Sequence, residues 1–133
     1  MSFDYEKIRS TFVLECPENF NFAFDVLSKK AEEVDKIALI SIDNNGDHLK
    51  DITYKELDNF SSKFANALLG LGVSKNDNIL VVLPRIPEWY FSLFGCAKMG
   101  AVAMPGTNLL TQNDIEYRIN VSGAKAAIVT EAH

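Results

Sequence analysis

Apolar residues recur along this chain at two different spacings. From Leu57 to Leu71 they fall at Leu57, Phe60, Phe64, Ala67, Leu68 and Leu71, three or four residues apart, as on one face of a helix. Ile79-Leu80-Val81-Val82-Leu83 is unbroken, as in a strand buried on both sides. Ala101–Met104 and Ala126–Val129 are two more short apolar runs of the strand type. Helical patterns separate the three. One is opened by Pro87 and ends near Gly100; the other is opened by Thr111 and ends at Gly123. Alternating strands and helices predict right-handed crossovers and a parallel sheet.

Upstream the pattern changes. Ile37–Ile42 and Leu49–Thr53 flank Asp43-Asn44-Asn45-Gly46-Asp47, and Asn-Gly between strand-like runs predicts a hairpin. Asn21 is placed to cap a helix over residues 22–34, with Ala23, Val26, Leu27, Ala31 and Val34 on one face. Thr53-Tyr54-Lys55-Glu56 reads as a capping box, with Ile52 and Leu57 at the two staple positions. Thr111 to Asp114 repeats that signal, stapled by Leu110 and Ile115. The predicted class is α/β: a partial, mainly parallel sheet with helices on its faces and an N-terminal β-hairpin. Residues 1–20 read as an N-terminal arm with a short helix, and residues 21–133 as one subdomain.

Composition narrows the function classes. Thirteen basic residues are scattered without a run and the net charge is −5, which argues against nucleic-acid binding. No apolar stretch approaches the ~20 residues of a membrane span. Met1 to Lys7 shows neither an apolar signal core nor an Arg-rich amphipathic pattern. Cys16 and Cys96 are far apart and lack metal-ligand spacing. Together these predict a reducing, cytoplasmic setting.

Candidate chemistry is sparse. Gly70-Leu71-Gly72 follows a helix rather than a strand, so it reads as a helix terminator and not as a nucleotide loop. No G-x-x-x-x-G-K-[ST] phosphate loop occurs. His48 adjoins a turn, His133 is terminal, and Cys96 sits among apolar residues, so no nucleophile–base set can be assembled. Trp89, Tyr90, Phe91 and Phe94 read as core. Arg85 follows a strand, at the edge where α/β sheets bind ligands, although a surface ion pair is its ordinary use. The loop Met104-Pro105-Gly106-Thr107-Asn108 occupies the same kind of edge. Gly106 leaves room for a ligand, and Thr107 and Asn108 carry hydrogen-bonding groups. An ordinary strand-to-helix turn is the competing reading.

From about Ile52 to Thr130 the order of these pieces resembles the adenylate-forming acyl-CoA synthetases. Thr53-Tyr54-Lys55-Glu56-Leu57, Leu83-Pro84-Arg85-Ile86-Pro87-Glu88-Trp89-Tyr90, Met104-Pro105-Gly106-Thr107, Asp114-Ile115-Glu116-Tyr117-Arg118 and Ser122-Gly123-Ala124-Lys125 carry the likeness. The Leu-Pro-Arg-x-Pro-Glu-Trp form with Met-Pro-Gly-Thr is most similar to the medium-chain branch. The resemblance implies the N-terminal subdomain of an enzyme that uses ATP and Mg²⁺ to turn a carboxylic acid into an acyl-adenylate, then passes the acyl group to CoA. It also implies that this piece, alone, is inactive, binds no cofactor and tends to self-associate. The residues after Pro-Gly-Thr reach toward CoA in that branch, where one of them is a Gln. Gly106, Thr107, Asn108 and Leu109 are therefore the expected cofactor-binding residues, with Leu109 in the place of the Gln. The alternatives are a stand-alone, non-enzymatic α/β interaction domain and an amino-acid-activating adenylation domain.

Overall fold

The computed structural model describes residues 4–15 and 17–131; the readings made for Cys16 and His133 fall outside them. Helix α1 (Tyr5–Thr11) is capped by the Asp4 carboxylate on the Lys7 amide at 3.1 Å and buries none of its residues. The antiparallel hairpin of β1 (Ile37–Ile42) and β2 (His48–Thr53) follows, then α2 (Tyr54–Gly70). Thereafter come β3 (Asn78–Val82), α3 (Pro87–Met99), β4 (Val102–Gly106), α4 (Gln112–Ser122) and β5 (Ala126–Val129). The three later strands form a parallel sheet in the order β4-β3-β5. The predicted class is therefore the observed one.

Local signals account for the element ends. The Thr53 hydroxyl accepts from the Glu56 amide at 3.1 Å, and the Glu56 carboxylate accepts from the Thr53 amide at 2.9 Å. Thr111 and Asp114 repeat the exchange at α4. Helix α2 closes with the Val73 amide on the Leu68 carbonyl and the Gly72 amide on the Leu69 carbonyl, with Gly72 at φ +83°. This double bond with a left-handed residue caps orphan carbonyls, and Leu68 and Val73 bury themselves together beside it.

Three expectations need correcting. The helix predicted over residues 22–34 is a π-helical segment, Ala23–Ser28, that ends by Lys30. The Ser28 hydroxyl donates to the Ala23 carbonyl five residues back, which suits the wider π spacing. Val34, assigned to the buried face, is 88% exposed. Second, the buried face of α2 is rotated: Leu57, Ser61, Ala65 and Leu68 are buried, whereas Ala67 and Leu71 are exposed. The cause is α3, whose Gly95 lets the two backbones approach closely enough that small residues line the seam. Third, β4 extends through Gly106 instead of ending at Met104. Pro105 is tolerated within it because β4 is an edge strand.

Two apolar clusters result. The first joins Ile79, Val81 and Leu83 to Leu68, Val73 and Cys96 across one face of the sheet. The second joins Leu27, Ile52 and Leu57, linking the π segment, the hairpin and α2. Phe22 stacks on Phe94 at 6.0 Å, and Phe60 on Phe91 at 4.9 Å. A buried ion pair fastens the same region: Lys98, 5% exposed, donates to the Asp58 carboxylate at 2.7 Å, the Asp58 carbonyl at 2.9 Å and the Ser62 hydroxyl at 2.7 Å. The Ser28 hydroxyl donates to the same Asp58 carboxylate oxygen at 2.6 Å, which ties the π segment into the pair.

Candidate functional site

The carboxyl ends of β3 and β4 carry the two connections singled out from the sequence. Because the order is β4-β3-β5, the chain moves one way along the sheet from β3 to β4 and back past β3 to reach β5. The crevice outside strand ends at such a reversal is where open α/β sheets bind ligands. Arg85 leaves the end of β3, and Thr107 leaves the end of β4.

Gly106 is the last residue of β4, paired in register with Val82. A Cβ built on it would lie 2.7 Å from Leu110 Cδ1 and 3.3 Å from Val82 Cγ2. Its missing side chain therefore makes room for Leu110, the residue that leads into the α4 cap. Thr107 and Asn108 are exposed, and the Thr107 hydroxyl accepts from the Leu109 amide at 3.3 Å. The Leu110 amide donates to the Thr107 carbonyl at 3.2 Å, closing a tight turn. Leu109, at its tip, is 87% exposed. Single apolar side chains exposed in this way are ordinary on protein surfaces, and Val34 and Leu71 are similarly exposed, so its exposure assigns it no role.

The other candidates behave as structure. Cys96 is fully buried, and burial pushes its thiol up to about 11, so it is not a nucleophile at neutral pH. His48 is exposed and bonds Asp51 at 2.8 Å on its own strand. The Glu56 carboxyl is held below its ordinary value by the Thr53 backbone amide and then its hydroxyl, and Asp114 by the Thr111 hydroxyl and then its amide. Both shifts are the signature of helix caps. Among the described residues no group of three or more His, Cys, Asp or Glu is placed to hold a metal.

Two concavities lie outside the turn at Thr107. One, of about 540 Å³, opens between α2, α3 and the end of β5, against Phe60, Phe64, Phe91 and Ile128. The other, of about 640 Å³, lies between the hairpin and the β3–α3 connection. Neither is lined by residues 106–109. The sequence offered no sign of these hollows, because they arise from residues far apart along the chain.

The profile of the AMP-binding enzyme family matches residues 27–133, which is most of the chain. The chain belongs to the AMP-binding enzyme family. Mitochondrial acyl-coenzyme A synthetase ACSM3 of Mus musculus is 39% identical over 135 residues, covering 96% of this chain and 23% of its own length. The crystal structure of an acyl-CoA synthetase from Brucella canis superposes over 98% of this chain and 24% of its own, with TM-score 0.80 and 25% identity. The N-terminal subdomain of Klebsiella oxytoca NpsA covers 84% of the chain and 27% of its own, with TM-score 0.70 and 27% identity. The chain thus corresponds to the N-terminal part of AMP-binding enzymes and spans about a quarter of the length of these relatives. Membership disfavours the reading as an unrelated interaction domain.

The comparisons correct one expectation. The acyl-coenzyme A synthetases that resemble this chain by sequence are mitochondrial proteins, against the cytoplasmic setting expected. That expectation rested on cysteine usage and on the residue pattern of Met1 to Lys7. Unpaired thiols mark a reducing compartment but do not tell one reducing compartment from another.

Proposed function

We propose that this chain is the N-terminal part of a mitochondrial, AMP-forming acyl-CoA synthetase of the medium-chain type. The whole enzyme would activate a short- or medium-chain carboxylic acid with ATP and Mg²⁺, then transfer the acyl group to CoA. The family match over residues 27–133 carries the reading. Within it, the turn formed by Gly106, Thr107, Asn108 and Leu109 borders CoA. Its position at the carboxyl edge of a parallel sheet supports this.

The test is Leu109→Gln in the full-length enzyme, assayed by half-reaction. A glutamine at this tip gains a hydrogen-bonding group toward CoA, so KM for CoA should fall severalfold while pyrophosphate exchange stays unchanged. An unchanged KM for CoA, or a change in pyrophosphate exchange alone, removes the turn from the CoA site. Gly106→Val is a poorer probe, because its side chain would collide with Leu110 and Val82 whatever the ligand.

The 133-residue chain by itself offers no phosphate loop for ATP, and phosphoryl and adenylyl chemistry needs such positioned charges. It is expected to give no pyrophosphate exchange with butyrate or octanoate. The uncovered edge of β5 supports self-association of the isolated chain, which light scattering would detect.

A further inference from the structure

We infer that Leu110 is the positioning residue of the turn after β4: its side chain, seated in the space that Gly106 leaves open, fixes where Thr107, Asn108 and Leu109 stand. The kinetic consequence rests on the reading of that turn as the border of CoA; the seat itself rests on packing alone. Of residues 107–110, Leu110 alone is partly buried, and the other three are exposed. Its Cδ1 lies 2.7 Å, and its Cγ 3.8 Å, from the point that a Cβ on residue 106 would occupy. Comfortable contact needs about 3.5 Å, so Leu110 stands where that residue's own side chain would stand. Val82 Cγ2 borders the same point at 3.3 Å, and Val82 is fully buried in β3 and paired in register with Gly106. Leu110 therefore fills a notch bounded by the edge strand β4 and the buried strand β3. Gly106 lies in strand backbone without a positive φ, so glycine is needed there for space and not for conformation.

The backbone carries the effect of that seat into the turn. On one side the turn is held by the β4 ladder through Gly106. On the other it is held by the α4 cap, where the Thr111 amide donates to the Asp114 carboxylate at 2.9 Å. Between them the Leu110 amide donates to the Thr107 carbonyl at 3.2 Å, so the residue whose side chain is seated is bonded to the residue that opens the turn. A displaced Leu110 passes its shift directly to Thr107, because packed contacts transmit strain. Position 110 also precedes the N-cap of α4, where an apolar residue ordinarily packs back on the helix as a staple. A staple acts on the stability of α4, whereas a seat acts on the place of the turn.

The experiment is a double-mutant cycle of Gly106→Ala and Leu110→Ala in the full-length enzyme, with KM for CoA, KM for ATP and the urea midpoint measured for each protein. Gly106→Ala alone collides with Leu110 and should raise KM for CoA severalfold. Leu110→Ala alone empties the notch and should do the same, while Leu110→Met, an apolar chain of similar volume, should restore most of the loss. When Gly106→Ala is added to Leu110→Ala, its methyl group enters the emptied notch, with Val82 Cγ2 at 3.3 Å as its remaining close neighbour. It should then lower KM for CoA, so the effect of one substitution changes sign with the other. The same change of sign in KM for ATP, in place of KM for CoA, keeps Leu110 as the seat and removes the turn from the CoA site. Effects that simply multiply in both KM values, or a lowered urea midpoint in Leu110→Ala with both KM values unmoved, would reduce Leu110 to a staple and overturn its positioning role.

Discussion

Gly95→Ala is expected to destabilise this protein, although helix propensity alone predicts the opposite. Gly95 lies inside α3, where exchanging glycine for alanine ordinarily gains about 0.8–1.0 kcal/mol. In this fold the new Cβ would stand 2.7 Å from Phe64 Cδ1 and 2.9 Å from the Ser61 carbonyl oxygen, both on α2. Comfortable contact needs about 3.5 Å, so α2 must retreat by roughly 0.6 Å at Ser61. Phe64 can swing aside, but the Ser61 carbonyl is backbone in a helix whose seam is already buried. Overpacking of this kind costs about 1–3 kcal/mol, which offsets the propensity gain and leaves a net loss of up to about 2 kcal/mol. Gly70→Ala is the matched control. It sits at the end of α2 with nothing within 4 Å of its Cβ, so it should stabilise by roughly 0.5 kcal/mol. Urea melts would show the midpoint falling for one variant and rising for the other, with a common slope. If Gly95→Ala raised the midpoint as Gly70→Ala does, the close approach of α2 and α3 would be refuted. Adding Phe64→Leu to Gly95→Ala should restore only part of the loss, since the Ser61 contact remains.

Thr53→Ala removes the hydroxyl that receives the Glu56 amide and should cost about 1 kcal/mol in a urea melt, with the activity of the full-length enzyme nearly unchanged. Lys98→Met leaves the Asp58 carboxylate without its cation in a largely dry seam, and should cost about 2–3 kcal/mol after allowing for the partial exposure of Asp58; a loss under half a kcal/mol would mean the pair adds nothing to the packing of α2 on α3. Glu33 is held down to about 2 by hydrogen bonds from Lys30 and then Lys36. Its folded value is depressed, so its stabilising effect is complete above the ordinary value of 4.5 and drains away as pH falls toward 2. An NMR titration should place its midpoint near 2 and move it upward in Lys36→Met.

Element types were readable wherever one local rule acted alone. The two capping boxes, Pro87 at the start of α3, and Gly100 and Gly123 in left-handed conformation at helix ends all follow from short-range chemistry. The buried run in β3 was equally plain, because a strand covered on both faces has no polar side to show. What failed depended on partners distant in sequence. The rotation of α2 is set by Gly95, on the next helix and well downstream of Ala67 and Leu71, the positions left exposed. The π segment is set by Asn21, whose side-chain amide donates to the Ala97 carbonyl at 2.8 Å, and by Ser28, which reaches Asp58. Of the candidate site, the location of the turn after β4 was legible, but the reason for Gly106 was not, since Leu110 fills the space a ligand was expected to use. Arg85, read as a surface ion pair, has no such partner among the described residues.

The proline in β4 gives the sheet a direction of growth. Pro105 has no amide hydrogen, so an incoming strand on the outer side of β4 would meet a rung with no donor. The opposite border, Ala126 to Val129, contains no proline and keeps every amide. Further strands from elsewhere in a longer polypeptide, or from a neighbouring molecule, are thereby steered to the β5 border. The β4 border is the poorer template for an added strand, so the crevice beside it is the less readily walled off.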